Sequence, residues 1–382
     1  MGIAALSSIP ILILIIRRIR HWTRQQKEQR TSAAQTASPQ QKQEELPSSA
    51  VLTAAMPQKK RRNKPPGVST PVAPADDVAA CIELLRTAGV VRINHVLDRQ
   101  TSAALRETCS NLVDAGLSAV ATGEAAATDV LAPHLLKGNQ YGHRHDVKLS
   151  FSEEEIRSAL RAALAVLGPL LTAVVSILSM EALLFTAPRR MPCFVSLTVD
   201  ADPTRLWFLF SLVVCVWRQL GEDSTLFELS AIAADAGTPA QALHFDFARP
   251  PDHPAVLVVF IALQDVTASQ GPTFFAPGSH AANFRKAVEA AWSPEEGNAS
   301  ARGQVREQQP LCRPLLSAGD CVVMDSALYH AGGANTTAAD RRLLFHFSFA
   351  RAGAHELGRR TSSLLDSLRG KHTLGELMTT IS

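Results

Sequence analysis

The second half of the chain restricts the fold most. Short apolar runs recur there: AVLVVFIALQDV at 255–266, PTFFAP at 272–277, LCRPLL at 311–316, DCVVMDS at 320–326 and RRLLFHFSFA at 341–350. Gly, Pro and Asp punctuate them, and such runs are too short for packed helices. Many short antiparallel strands, in a sandwich or barrel, are the arrangement that satisfies their backbones. The stretch before them differs. DDVAACIELLRTAG (76–89), TSAALRETCSNLVDAG (101–116) and FSEEEIRSALRAALAVLGPLLTAVVSIL (151–178) have helical spacing. Thr101 or Ser102 and Ser152 stand where caps belong, and acids fill the first turn of the third. GVVRINHVL (89–97) reads as a short strand. Helices first and strands later predict an α+β domain with a jelly-roll core. At 382 residues, 46% of them hydrophobic, the chain has enough apolar material for one large core.

The N-terminal part cannot contribute to that core. MGIAALSSIPILILII is apolar and is followed at once by RRIRHWTRQQK. This pattern predicts a membrane anchor in residues 1–30 with the following chain on the cytoplasmic side. The run is short of the roughly 20 residues a spanning helix needs, and Pro10 interrupts it. The competing reading is a mitochondrial or other organelle presequence, Arg-rich and without an acid before Glu28. Residues 31–76 are rich in Gln, Ser, Ala, Pro and Lys and predict a disordered linker. KKRRNK at 59–64 within it reads as a solvated charge run, with an acidic-lipid patch or nuclear signal as the sharper readings. A folded domain is expected over 77–382. Three readings stay open for 192–220, whose apolar middle lies between Arg205 and Arg218: a buried strand or inserted element, a short second span, or a gene-model error.

Net charge is +3 and aromatics are 5%, so neither a basic field nor stacking platforms argue for a nucleic-acid partner. The six cysteines show no C-x-x-C pair and no zinc-like spacing, and they are expected to be reduced thiols.

Within this frame, QALHFDFARPP at 241–251 places His244 and Asp246 two residues apart. Side chains two apart in an extended segment share a face, so imidazole and carboxylate aim at one point while Phe245 points away. An H-x-D triplet alone is weak. With 12 histidines and acids at roughly one position in ten, one chance match is expected. Its company matters more. His330 follows the strand DCVVMDS and precedes a Gly-rich turn, and Arg341 opens the next strand. Two histidines and one carboxylate form a facial ligand set that suits Fe(II) and leaves adjacent positions open. An arginine on a neighbouring strand can fork onto a carboxylate in a way lysine cannot.

Several ordered motifs resemble the phytanoyl-CoA dioxygenase-like family of 2-oxoglutarate- and Fe(II)-dependent dioxygenases. They are GVVRINHVL, HDVKLSF (145–151), LFELSAIAADAGTPAQALHFD (226–246), GPTFFAPGSH (271–280) and HAGGANTTAADRRLLF (330–345). The resemblance runs from about Val90 to the C-terminus. It implies a double-stranded β-helix (cupin-like) core, with His244, Asp246 and His330 as iron ligands. It also implies that Arg341 pairs with the far carboxylate of 2-oxoglutarate. Arg342 takes that role if the register slips by one. Gln241, Thr273 and Asn335 resemble positions around the cosubstrate. Ser279 and His280 read as turn residues, His143 and His145 as surface or substrate-loop residues, and His346 as a core or rim histidine.

The implied reaction is oxidative decarboxylation of 2-oxoglutarate with O2, coupled to hydroxylation of a small molecule. A lipid or acyl-CoA substrate rests on family and N-terminus alone. The alternative is an inactive membrane-tethered binding or scaffold protein on the same fold. Absence of a G-x-S-x-G elbow speaks against a serine hydrolase. Asp246 fills the position that a halogenating relative would leave open.

Overall fold

In strand β4 (Val256–Ala262) every residue is buried. Val256, Val258, Phe260 and Ala262 enter one apolar cluster, while Leu257, Val259 and Ile261 enter another. A strand buried on both faces must lie between two layers, which is why VLVVFIA shows no alternation of polar and apolar residues. The computed structural model describes residues 69–123, 143–186, 221–246, 256–281, 283–284, 303, 310–350 and 363–380. All of them lie in the unit Pro65–Ser382. The anchor or targeting segment, most of the linker and the 192–220 segment fall outside the described residues.

Eight strands are named here: β1 (Val90–Ile93), β2 (Arg144–Lys148), β3 (Thr225–Ala234), β4, β5 (Phe274–Phe275), β6 (Cys321–Asp325), β7 (His330–Ala331) and β8 (Arg342–Ala350). The larger sheet has the order β1-β6-β4-β8-β3-β2, and every pairing in it is antiparallel. The smaller layer is built from β5 and β7, flanked by single bridges His244↔His330 and Phe275↔Cys312. Its order is therefore residue 244, β7, β5, residue 312. Along the chain, β3, β4, β6 and β8 fall in the large layer and 244, β5, 312 and β7 in the small one. That back-and-forth between two antiparallel layers is the double-stranded β-helix expected from the sequence.

Four helices cover the other face of the large sheet: α1 (Val78–Ala88), α2 (Arg99–Thr122), α3 (Glu154–Thr186) and α4 (Leu374–Thr380). Asp77 and Asp98 cap α1 and α2 by accepting from Ala80 N and Thr101 N. Asp98 thus does the work expected of Thr101 or Ser102. By length and composition α3 contains a stretch apolar enough to cross a bilayer, Glu154–Ile177. Its Ile156, Leu160, Leu164 and Leu167 instead share a core with Phe345, Phe347 and Phe349 of β8. Residues 71–73, placed in the linker by composition, lie along β1: Ala73 N donates to Arg92 O and Arg92 N to Pro71 O. Cys81, Cys109, Cys312 and Cys321 are buried and unpaired.

Candidate metal centre

His244 and His330 are far apart in sequence, and one backbone bridge joins them. His244 N donates to His330 O at 2.9 Å, and His330 N donates to His244 O at 2.7 Å. The rings lie side by side with centroids 4.5 Å apart. Asp246, two residues along the same extended segment, is anchored by its N–H to Ser326 O at 3.0 Å. Its Oδ1 lies 3.8 Å from His244 Nε2 and 3.6 Å from His330 Nε2. One donor atom from each residue falls within 4.8 Å of the others. The alternation argued from H-x-D therefore describes the actual backbone. Phe245 turns away and packs edge-on against Tyr329.

Each imidazole is oriented by its other nitrogen. His244 Nδ1 sits 2.8 Å from Ala242 O, and His330 Nδ1 sits 3.0 Å from Leu328 O. A carbonyl only accepts, so Nδ1 carries the proton and both Nε2 lone pairs face the shared point. Burial drives the titration. It pushes His330 down to about 4 and lowers His244, helped by the neighbouring His330. Burial also raises Asp246 to about 6, against the pull of His244. The imidazoles are thus held neutral, as ligation requires, and an anionic carboxylate beside them calls for a cation. Two borderline nitrogens and one hard oxygen fit a ferrous ion.

The two arginines lie on opposite faces of β8. Arg341 points outward, away from the barrel. Its guanidinium is held by Asp235 and by Asp114 Oδ1 at 2.8 Å, with Ser110 Oγ at 3.1 Å. Arg342 points inward and is 1% exposed. It faces a cavity lined by Phe260, Val266, Thr273, Phe275, Leu316 and Leu344, among others. Its Nη1 donates to Gly271 O, and its Nε has no partner among the described residues. Burial, with Arg144 nearby, pulls its pKa down to about 9. A buried guanidinium without a carboxylate is a poor structural element and a good anion receptor. Strand parity sets this facing: Arg342 shares its face with Leu344, which joins the barrel cluster, whereas Leu343 joins the helix-side core.

The remaining expected residues divide. Thr273 lines the Arg342 cavity. Gln241 accepts from Gly332 N at 2.9 Å and so fixes the turn behind His330. A Cβ at Gly332 would stand 2.6 Å from Arg144 Nη1 and 2.7 Å from Gln241 Oε1, so a larger residue would displace one of those side chains. Asn335 does not face the cavity. Its Nδ2 donates to Ala234 O and Asp340 O, and its Oδ1 accepts from Thr337, which clamps the loop between the second histidine and the arginine strand. Ser279 Oγ accepts from Tyr329 N, a turn role as expected. His145 lies on the outer face against Asp235. His346 is buried inside the barrel, stacked on Phe260.

Sequence reasoning missed Arg144. It is 5% exposed, donates to Gly333 O at 3.0 Å, and is lowered to about 10 by burial. The signal was the alternation R-H-D in RHDVK, which puts Arg144 and Asp146 on one face of β2.

Part of the chain is similar to known proteins. Residues 197–343 match the family model described as Phytanoyl-CoA dioxygenase (PhyH). The match begins inside the 192–220 segment. The multifunctional dioxygenase ausE of Aspergillus calidoustus is 32% identical over 128 residues, which are 31% of this chain and 40% of that relative. The aligned part thus spans less than half of the relative's length. Among solved structures, the non-heme alpha-ketoglutarate-dependent epimerase SnoN from nogalamycin biosynthesis is 17% identical. It covers 78% of this chain and 92% of its own, with a TM-score of 0.43. HygX from Streptomyces hygroscopicus, solved with nickel and 2-oxoglutarate bound, is 14% identical over 72% of this chain and 87% of its own, with a TM-score of 0.38. The part of the chain similar to the phytanoyl-CoA dioxygenase family, residues 197–343, holds His244, Asp246, His330, Arg341 and Arg342.

Proposed function

We propose that this chain is an Fe(II)- and 2-oxoglutarate-dependent oxygenase that hydroxylates a small molecule. The observation that carries the reading is the convergence of His244, Asp246 and His330 beside a cavity lined by the buried Arg342, whose Nε has no partner among the described residues. His244 and His330 would present Nε2 to the iron, and Asp246 one carboxylate oxygen. Bound iron supplies O2 activation, with decarboxylation of 2-oxoglutarate to succinate and CO2, for oxidation of an unactivated C–H bond. The protein's part is positional. Arg342 would fork onto the far carboxylate of the cosubstrate, with Thr273 beside it. Phe260, Val266, Leu316 and Leu344 line that cavity with apolar surface and keep water from it. Gln241 holds the glycine turn that lets the backbone pass close to Arg144. The scheme needs no protein general base at the reacting carbon.

The test is iron content together with cosubstrate turnover. Wild-type protein should carry one equivalent of iron and release succinate in proportion to 2-oxoglutarate consumed. A His244→Ala, His330→Ala double variant should lose both. Equal iron in the two proteins would reject the assignment. Relatives of this kind include an epimerase by name, so the oxidation product, a hydroxyl or its absence, is read by mass spectrometry.

We also propose that residues 1–30 tether the domain to a membrane, with the catalytic part on the cytoplasmic side. The apolar run and the arginines after it support this. Recovery of the full chain in the soluble fraction after cell lysis would count against it.

A further inference from the structure

We infer that the barrel wall formed by Asp146, Glu228, Ser230, His346 and Ser348 is the substrate-binding surface, and that it takes a neutral, hydroxyl-bearing molecule. The iron and 2-oxoglutarate reading is needed only to call the bound molecule a substrate. Strand pairing places the wall. The interior row Arg144, Ala234, Arg342 lies at one end. The next interior row is Asp146, Ile232, Leu344. Beyond it come Lys148, Ser230 and His346, and then Glu228 with Ser348. The cosubstrate arginine therefore ends the wall on one side, with Asp146 one row and Glu228 three rows from it. The wall adjoins the metal centre, because the Phe260 ring stacks on His346 at 5.0 Å and lies 6.4 Å from His330.

Most of the wall is tied together. Ser230 Oγ is 2.9 Å from His346 Nδ1, Glu228 Oε2 is 3.4 Å from His346 Nε2, and Ser348 Oγ donates to Glu228 at 2.8 Å. Asp146 is the exception. It is 8% exposed. Ser363 donates to its Oδ2, while its Oδ1 is buried and has no partner among the described residues. A buried carboxylate oxygen left without a donor is costly, and nothing in the strand pairing requires an aspartate there. A donor on a bound molecule would complete it.

Charge selects the kind of donor. Asp146 lies between Arg144 and Lys148 on one face of β2. An ammonium at Oδ1 would meet a cation on either side. A carboxylate or phosphate would meet Asp146 itself. A hydroxyl donates without either conflict. The wall is thus poorly suited to a bare acyl chain, and an acyl carboxylate fits it worse still.

The test uses metal-free full-length protein and ligand-observed NMR. The probes are cyclohexanol, cyclohexylamine and cyclohexanecarboxylate, which share one ring and differ in the polar group. Cyclohexanol should bind at least about tenfold tighter than either ion, the selectivity of one hydrogen bond to a charged acceptor. Asp146→Ala should erase that preference. Ser363→Ala should keep it, since it removes only the partner of the other oxygen. Should Asp146→Ala not fold, Asp146→Asn serves, and its weaker acceptor should shrink the preference. Tighter binding of the amine or carboxylate, no binding of any probe in the millimolar range, or a preference unchanged in the Asp146 variants would overturn the inference. The readout needs no iron, so loss of the oxygenase reading and loss of this one are separable. Iron and 2-oxoglutarate binding with no alcohol preference sinks the wall alone.

Discussion

Exchanging Arg341 and Arg342 for methionine, one at a time, separates their roles, because stability and cosubstrate binding should move in opposite variants. Arg342 is buried with no carboxylate beside it. Replacing such a charge by an apolar side chain of similar length is neutral or stabilising in the unliganded protein. It also removes a bidentate, desolvated contact to the cosubstrate, worth about 2–5 kcal/mol, so 2-oxoglutarate should bind roughly 30- to 5,000-fold more weakly. Arg341 is different. Its side chain is 18% exposed and is paired with Asp235 and Asp114. Truncation leaves Asp235 with His145 only. The loss should be about 1–2 kcal/mol, above an exposed pair and below a fully buried one. For a domain of this size that lowers Tm by roughly 2–8 °C. The assay is thermal unfolding with and without 2-oxoglutarate in the presence of Fe(II) under anaerobic conditions. Ligand at a hundred times Kd raises stability by about 2.7 kcal/mol. Wild type and Arg341→Met should both show that rise, the latter from a lower baseline. Arg342→Met should start at or above wild type and keep at most about 0.9 kcal/mol of that rise. A 2-oxoglutarate response abolished in Arg341→Met and intact in Arg342→Met would refute the parity argument and return the cosubstrate to the outer arginine.

Two further outcomes follow from buried titratable groups. Burial pushes Asp235 up, but the hydrogen bond from His145 and the Arg341 guanidinium outweigh it and hold the carboxyl at about 2. A depressed folded pKa gives stability that is full above the ordinary carboxylate range and is lost as pH falls through about 4 towards 2. Asp235→Asn should therefore flatten that acid limb by roughly 1 kcal/mol, after discounting for solvent contact, as read by urea unfolding at a series of pH values. Burial also raises the thiols, Cys81 to about 11 and Cys109 to about 12, with Cys321 raised further and Cys312 also raised. Iodoacetamide at pH 8 should leave these four unmodified in the native protein and label them on unfolding, a result that mass spectrometry reads directly. Prompt labelling of Cys321 in the folded state would contradict the packing of β6 against the helices.

What the sequence disclosed follows from where periodicity is one-sided. H-x-D was legible because His244 and Asp246 flank Phe245 in an extended segment with one polar and one apolar face. The strands of the large sheet were legible as strands, since VLVVFIA and LLFHFSFA are too short and too β-branched or aromatic for helices. Their facing was not, because both sides of the sheet are buried and hydrophobicity does not tell barrel from helix side. Distance from His330 does not tell Arg341 from Arg342, because the loop clamped by Asn335 lies between them. A better signal lay within the strand. His346 and Ser348 are the polar members of an otherwise apolar run, and both share parity with Arg342. Polar residues in a doubly buried strand belong on the face where a ligand or network can satisfy them. The sheet residues that join the helix-side core are apolar ones, such as Leu229, Ala231, Val259, Cys321, Leu343 and Phe345. Parity of the polar exceptions, rather than distance from a motif, fixes which guanidinium enters the barrel. The same parity on β2 brings Arg144 and Asp146 in with it.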